Sequence, residues 1–241
     1  MIVPQALRFL PTLLLSLVAA FGNAAPAAAE TIAVIGTGEV GSALGPRLAS
    51  LGHTVVYGSR EPQRTDVQAL VRETGPGASA AELAEAAAGA HWVLLAVPWT
   101  SVEEVVASLG DLSGKIIIDP TNPRIQAEDG FPDHPFHTSN AERIQTWAPD
   151  ARVVKAFNAI PAEIMAVPDL AGGPITVPIA ADDEAARAAV AALARRLGFQ
   201  TVEIGPVRYA HVIESLYLLS VNAAILGNPV YMSLRPRQPA P

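Results

Sequence analysis

The stretch Thr31-Ile32-Ala33-Val34-Ile35-Gly36-Thr37-Gly38-Glu39-Val40-Gly41 decides the fold of this chain. Its first five residues are apolar or β-branched without alternation, the mark of a strand buried on both faces of a sheet. The next six spell Gly-x-Gly-x-x-Gly and open an Ala/Leu-rich helical segment, so the glycines stand between a strand and a helix. In that setting Gly36 permits a tight turn, Gly38 lets a pyrophosphate approach the backbone, and Gly41 lets the helix pack closely on the sheet. Phosphates then lie at the positive end of the helix. Gly36, Thr37, Gly38, Glu39, Val40 and Gly41 are therefore the first candidate cofactor-binding residues.

The next strand, 53–58, ends about 20 residues farther on, where a dinucleotide-binding protein reads the adenosine ribose. An Asp or Glu there grips the ribose hydroxyls of NAD and repels a 2′-phosphate. This chain has Tyr57-Gly58-Ser59-Arg60 instead. Ser59 can donate to phosphate oxygens, Arg60 can pair with them in a charge-assisted fork, and Arg64 is expected one helical turn beyond. NADP(H) is the expected cofactor. Glu61 dissents, but it follows the arginine, precedes Pro62 and reads as the start of a helix.

From residue 31 onward short β-branched runs alternate with longer helical segments, which predicts an α/β fold: a Rossmann-type, doubly wound, mostly parallel sheet. The predicted strands are 31–36, 53–58, 91–97, 115–119, 152–157, 174–180 and 200–204. Ser101 with Glu104 and Ser139 with Glu142 fit capping boxes. Asp182 and Asp183 place negative charge at the start of a helix over 184–197, which Gly198 ends. The Ala-rich stretch 80–90 reads as a short helix. Residues 121–138 form a long irregular connection with Pro123, Pro132, Pro135 and Asp129-Gly130, and loops of that length are usually functional or disordered. A C-terminal helix over 208–226 and a frayed tail over 228–241 close the chain.

Residues 1–29 read as a secretory signal peptide, with one charge at Arg8, an apolar run over 9–21 and the small residues Ala27-Ala28-Ala29 before Glu30. They predict export to the periplasm, the alternative being a cytoplasmic protein with a misassigned start. Setting them aside leaves 212 residues with 23 acidic and 15 basic side chains, a net charge of −8 that argues against nucleic-acid binding. With no cysteine, disulfides and thiolate chemistry are excluded. Residues 30–227 suit one NADP-binding domain. Beyond the leader no apolar run reaches the roughly 18 to 20 residues that a membrane helix needs.

The glycine stretch together with Gly58-Ser59-Arg60, Leu95-Ala96-Val97-Pro98-Trp99, Ile118-Asp119-Pro120-Thr121-Asn122-Pro123 and Lys155-Ala156-Phe157-Asn158 resembles the coenzyme F420-dependent NADP reductases. The likeness runs from Thr31 to the helix near Glu214. It implies a compact NADP-binding fold and a deazaflavin (coenzyme F420) or flavin partner that meets the nicotinamide in a cleft roofed by the C-terminal helix. Position by position, it implies that Thr37, Ser59, Arg60 and Arg64 hold the 2′-phosphate and that Gly38, Val40 and Gly41 border the pyrophosphate. Ala96, Val97 and Pro98 would line the adenine-to-ribose path, and Ala156, Phe157 and Asn158 would border the nicotinamide. The same module is similar to the cytosolic reductase part of six-transmembrane metalloreductases, which pass electrons from NADPH through a flavin to iron or copper.

Hydride transfer between two ring systems asks the protein for alignment and exclusion of water, so no acid–base pair is required. Phe157 reads equally as core. Lys155, inside a strand, reads as a cation that snorkels to the sheet edge, the alternative being an approach to a phosphate or carboxylate of substrate. Asp133, His134 and His137 offer three potential metal ligands, but their spacing fits no closed site, and a polar loop over the cleft mouth is expected instead. His211 and Glu214, one helical turn apart, read as a structural pair. A non-catalytic NADP-binding sensor or carrier remains an alternative to the reductase. The C-terminal helix, poor in charge from 212 to 226, allows either packing on its own domain or a homodimer.

Overall fold

The computed structural model describes residues 29–234. The leader, apart from Ala29, and the end of the tail lie outside the described residues. The opening unit follows the sequence: β1 (Thr31–Ile35) enters the glycine turn, α1 (Glu39–Ser50) follows, and β2 (Thr54–Gly58) pairs in parallel with β1. After α2 (Thr65–Thr74) come β3 (Ala78–Ala81), α3 (Leu83–Ala88), β4 (Trp92–Leu95), α4 (Val102–Ser108) and β5 (Ile116–Asp119). The 121–138 connection carries a small antiparallel pair, β6 (Ile125–Gln126) and β7 (Pro132–Asp133), and leads into α5 (Asn140–Trp147) and β8 (Arg152–Lys155). Next come α6 (Ala162–Ala166), β9 (Thr176–Ala180), α7 (Glu184–Arg196), β10 (Gln200–Gly205) and α8 (Ala210–Ile225).

The main sheet runs β3-β2-β1-β4-β5-β8-β9-β10. Every pairing is parallel except β8 with β9, so the last two strands run against the rest. Chain order reverses between β1 and β4, the switch point beside which this fold class binds ligands at the carboxyl ends of its strands. Because successive strand residues face opposite sides, one face takes Ile32, Val34, Val55 and Ile118 against Leu44 of α1 and Val190 of α7. The other takes Ala33, Ile35, Val93 and Ile117 against Ala87 of α3, Val106 of α4 and Ile144 of α5. Ile32 and Ile35 are fully buried, each contributing about 1.5–3 kcal/mol before entropy is counted.

Several expectations are corrected. Residues 78–81 are an edge strand, not the start of a helix, and the helix there begins at Leu83. Glu61 starts no helix: residues 61–64 form a turn in which Arg64 N–H donates to the Glu61 carbonyl, and α2 begins at Thr65. Ser139 and Glu142 make both bonds of a capping box, whereas Ser101 makes none to a backbone amide. Ser101 already has helical backbone angles, at the end of a 3-10 turn over Trp99–Ser101, so its hydroxyl is not aimed at the amides of α4. Asp183 caps α7, and Asp182 instead accepts from the amide of Val207. Gly198, with φ of 88°, ends α7 as read from the sequence. The tail is not free along its whole length, because the Met232 carbonyl accepts from the Thr176 amide and the Leu234 amide donates to the Thr176 hydroxyl. α8 leaves Val212, Leu219 and Ile225 exposed. No helix among the described residues is long and apolar enough to cross a membrane.

Candidate functional site

A cleft of about 480 Å³ opens at the switch point. Gly36, Thr37 and Gly38 form its base, Ser59, Arg60 and Arg64 one side, and Ala96, Val97 and Pro98 the other. Glu39, Val40 and Gly41 make the first turn of α1 behind it. The first backbone bond of α1 runs from Ser42 N–H to the Gly38 carbonyl, so the three amides before Ser42 have no acceptor within the helix. No side chain caps that end. Nine of the sequence-derived residues thus converge on one concavity, with a helix N-terminus aimed at it.

The three glycines do different work. A Cβ on Gly36, where φ is 105°, would stand 2.3 Å from the Ala96 carbonyl oxygen, and one on Gly41 would stand 2.1 Å from that of Gly36. Both are demanded by the protein's own packing. A Cβ on Gly38 would meet nothing within 4 Å, so the room before it is left open by the protein, as a bound pyrophosphate requires. Gly38→Ala is expected to change folding stability by no more than about 0.5 kcal/mol while weakening NADPH severalfold. Gly36→Ala is expected to lose about 1–3 kcal/mol of stability. Urea unfolding and calorimetric titration of both variants check the contrast.

Ser59 is buried, and its hydroxyl accepts from the Glu61 amide at 3.2 Å, which leaves its proton free to donate into the cleft. Arg60 is exposed and has no ion-pair partner among the described residues. Arg64 differs from expectation. It is the residue before α2 rather than one turn into a helix, and its guanidinium holds both carboxylate oxygens of Asp66, at 2.6 and 3.0 Å. That contact keeps the Asp66 carboxyl below its ordinary range. Arg60 is thus the cation at this end with no anion of its own, and Glu61 lines the same cleft.

Ala156, Phe157 and Asn158 do not line this cleft. Ala156 and Phe157 are core, the Phe157 ring standing edge-on to Phe199 at 6.1 Å. Phe157 is also the sole non-glycine residue with positive φ, 66°, among those described. The Asn158 amide nitrogen donates to the Asn122 side-chain oxygen and to the Ile213 carbonyl, joining the ends of β5 and β8 to α8. The side chains of Ala156 and Phe157 therefore face inward, and Asn158 alone of the three has a polar atom to offer, its buried side-chain oxygen having no hydrogen-bond partner.

Beside this point lies a cluster that the sequence did not disclose. Lys155, fully buried, stands 3.0 Å from Asp119 and 2.7 Å from Glu214, and also donates to the Thr121 carbonyl. Burial opposes its charge, but the two carboxylates outweigh that and raise its pKa. Burial likewise opposes ionisation of Glu214, yet Lys155 and His134 bring its pKa below the usual value. Glu214 accepts from the Asn140 amide at the start of α5 and contacts His134 at 2.8 Å. His211 is exposed and turned to the Arg208 carbonyl, so the expected pairing with Glu214 is replaced by His134. Asp133 and His137 do not join His134, and no group of three or more His, Asp or Glu among the described residues could hold a metal ion. α8 supplies no lining residue to this part of the cleft and lies over the neighbouring ends of β5 and β8.

A doubly wound sheet with an open glycine turn at its switch point defines a Rossmann-type dinucleotide-binding protein. Residues 31–123 match the family model described as NADP oxidoreductase, coenzyme F420-dependent. The chain is 31% identical over 209 residues to the F420-dependent NADP reductase of Methanothermobacter marburgensis, covering 80% of this chain and 92% of that one. It is also 31% identical over 199 residues to metalloreductase STEAP3 of Rattus norvegicus, covering 80% of this chain but 37% of the other, so it spans just over a third of that relative. A solved structure from Arthrobacter sp. FB24, assigned to the F420-dependent NADP reductases, superposes with a TM-score of 0.77 at 34% identity, over 86% of this chain and 100% of that one. The chain belongs to the F420-dependent NADP oxidoreductase family.

Proposed function

We propose that the protein is an NADPH-dependent oxidoreductase that exchanges a hydride between NADPH and a deazaflavin, coenzyme F420, or a flavin-like carrier. The open space before Gly38, facing the free amides of α1 with Ser59 and Arg60 alongside, is the observation that carries this. The α1 amides would hold the pyrophosphate, Ser59 and Arg60 the 2′-phosphate, and Ala96, Val97 and Pro98 the adenosine path. From there the strand edge leads past β4 to the ends of β5 and β8, where the unpaired side-chain oxygen of Asn158 would orient a carboxamide. When bound, the two ring systems supply hydride donor and acceptor, and the protein's share is alignment and exclusion of water.

The likeness to a metalloreductase supports one alternative, an NADPH-binding module that sends electrons on through a flavin to ferric or cupric ion. A sensor or carrier without turnover is the contrasting case. Incubating the purified protein with NADPH and coenzyme F420, flavin, ferric or cupric acceptors separates the three. Consumption of NADPH with F420 supports the reductase. Consumption that needs flavin and metal supports the module, and tight binding with no consumption favours the sensor.

The leader is proposed to direct export. A mature N-terminus at Glu30, found by sequencing protein recovered from the periplasmic fraction, would support this, and an intact leader on cytoplasmic protein would contradict it.

A further inference from the structure

His134 sits in the 121–138 connection with one ring nitrogen on each of two oxygens. Nε2 is 2.8 Å from Glu214 Oε2, and Nδ1 is 2.7 Å from the Phe136 carbonyl. A carboxylate and a carbonyl accept hydrogen bonds and donate none, whereas a neutral imidazole has a single N–H. Both contacts are made at once only by the imidazolium. The Phe136 amide also points toward Nδ1, but at 3.4 Å it is the longer and weaker contact.

The surroundings ask for the same charge. Lys155 on β8, Asp119 on β5 and Glu214 on α8 sum to one negative charge in a site from which water is excluded, and a protonated His134 brings the sum to zero. Other charged or titratable groups on the surrounding elements are Asp133, which accepts from the His134 amide, His137 and Arg124 on the same loop, Arg124 donating to the Tyr217 hydroxyl of α8, and Glu142 and Arg143 on α5. Glu142 is occupied by its capping box and by Thr138, and Arg143 lies over the Phe136 ring at 4.4 Å. Neither takes the place of the His134 proton against Glu214.

The contact also reaches the cleft. Phe136, two residues on, stands edge-on to both His134, at 5.4 Å, and Trp99, at 5.8 Å. Trp99 directly follows Pro98 of the cleft wall. His134 therefore joins α8 and the buried lysine to the loop, and the loop to the wall of the site.

We propose that protonated His134 is a positioning residue, a latch that fastens the 121–138 loop to α8 and so steadies the cleft wall beside Trp99, and that loss of its proton loosens the loop. The proposal rests on the cleft being the dinucleotide site. The hydrogen bond to Glu214 raises the His134 pKa against the opposing effect of burial. A raised folded-state value means that the latch is fully made below the unfolded-state pKa, about 6.5, and is lost as pH rises through the higher folded value.

The test follows the His134 imidazole by NMR from about pH 5 to pH 9, alongside limited proteolysis of the loop. His134 is expected to titrate above the ordinary histidine value, with cleavage within 121–138 rising through the same midpoint. His134→Gln, which offers one donor group and no charge, is expected to leave the loop equally cleavable at every pH. As pH rises through the His134 midpoint the wild type is expected to lose NADPH affinity severalfold. Titration at or below the ordinary value, or cleavage that ignores it, would overturn the latch. Should His134→Gln fail to fold, the wild-type titration and cleavage profile decide alone. NADPH failing to bind at pH 6, with the loop still tracking His134, would sink the reading of the cleft and leave the latch standing.

Discussion

Lys155→Met is expected to destabilise the protein by about 3–5 kcal/mol at pH 7, because it leaves two buried carboxylates without their cation. Asp119 is fully buried and Glu214 is 1% exposed, so water cannot replace the lost charge. Asp119 keeps the amide and hydroxyl of Thr121, and Glu214 keeps the Asn140 amide and His134, but these do not neutralise both. The loss is expected to narrow in acid. Glu214 has a depressed pKa in the folded state, so its contribution is present above its unfolded value, about 4.3, and fades as pH falls through the folded one. Urea unfolding of wild type and variant at pH 7 and at pH 4 measures both effects. A loss below about 1 kcal/mol at pH 7 would contradict the charged state described for the cluster.

The first βαβ unit was legible because its signals are local. A buried apolar run, three glycines at fixed spacing and a second strand about 20 residues on all lie within one short window. β3 was not, since Ala78-Ser79-Ala80-Ala81 has no apolar bulk and owes its extended form to pairing with Val55 to Gly58. The reversed direction of β9 and β10 leaves no mark in either segment's own composition. The turn after β2 misled in a different way: Arg64 looked like a helical neighbour of Arg60, but the chain turns first and gives Arg64 to Asp66.

In the site, residues identified by backbone demands lie together at the glycine turn, and residues identified by side-chain character do not all join them. Lys155 looked like a cation on its way to solvent. Its partners are 36 residues back at Asp119 and on α8 at Glu214, and Glu214 is itself 80 residues from His134. No local window joins those four. The one available signal was negative: a lysine flanked by Val153, Val154, Ala156 and Phe157 has no polar neighbour in sequence and must find one in space.

Arg60→Ala should separate the two pyridine nucleotides. Arg60 borders the cleft beside Ser59 and is not engaged by any carboxylate among the described residues, whereas Arg64 is held by Asp66. A 2′-phosphate would give Arg60 a charge-assisted contact of about 1.5–3 kcal/mol, so its removal is expected to weaken NADPH about 10- to 100-fold. NADH lacks that phosphate and is expected to bind the variant as it binds the wild type. Ser59→Ala, which removes a neutral donor, should cost NADPH less. Glu61 shares this end of the cleft, so Glu61→Gln is expected to tighten NADPH modestly by removing a like charge.

The most direct measurement is calorimetric titration of wild type and Arg60→Ala with NADPH and with NADH. The wild type is expected to prefer NADPH, and the variant to lose this preference through NADPH alone. Equal losses for the two nucleotides, or no uptake of either by folded wild type, would contradict this.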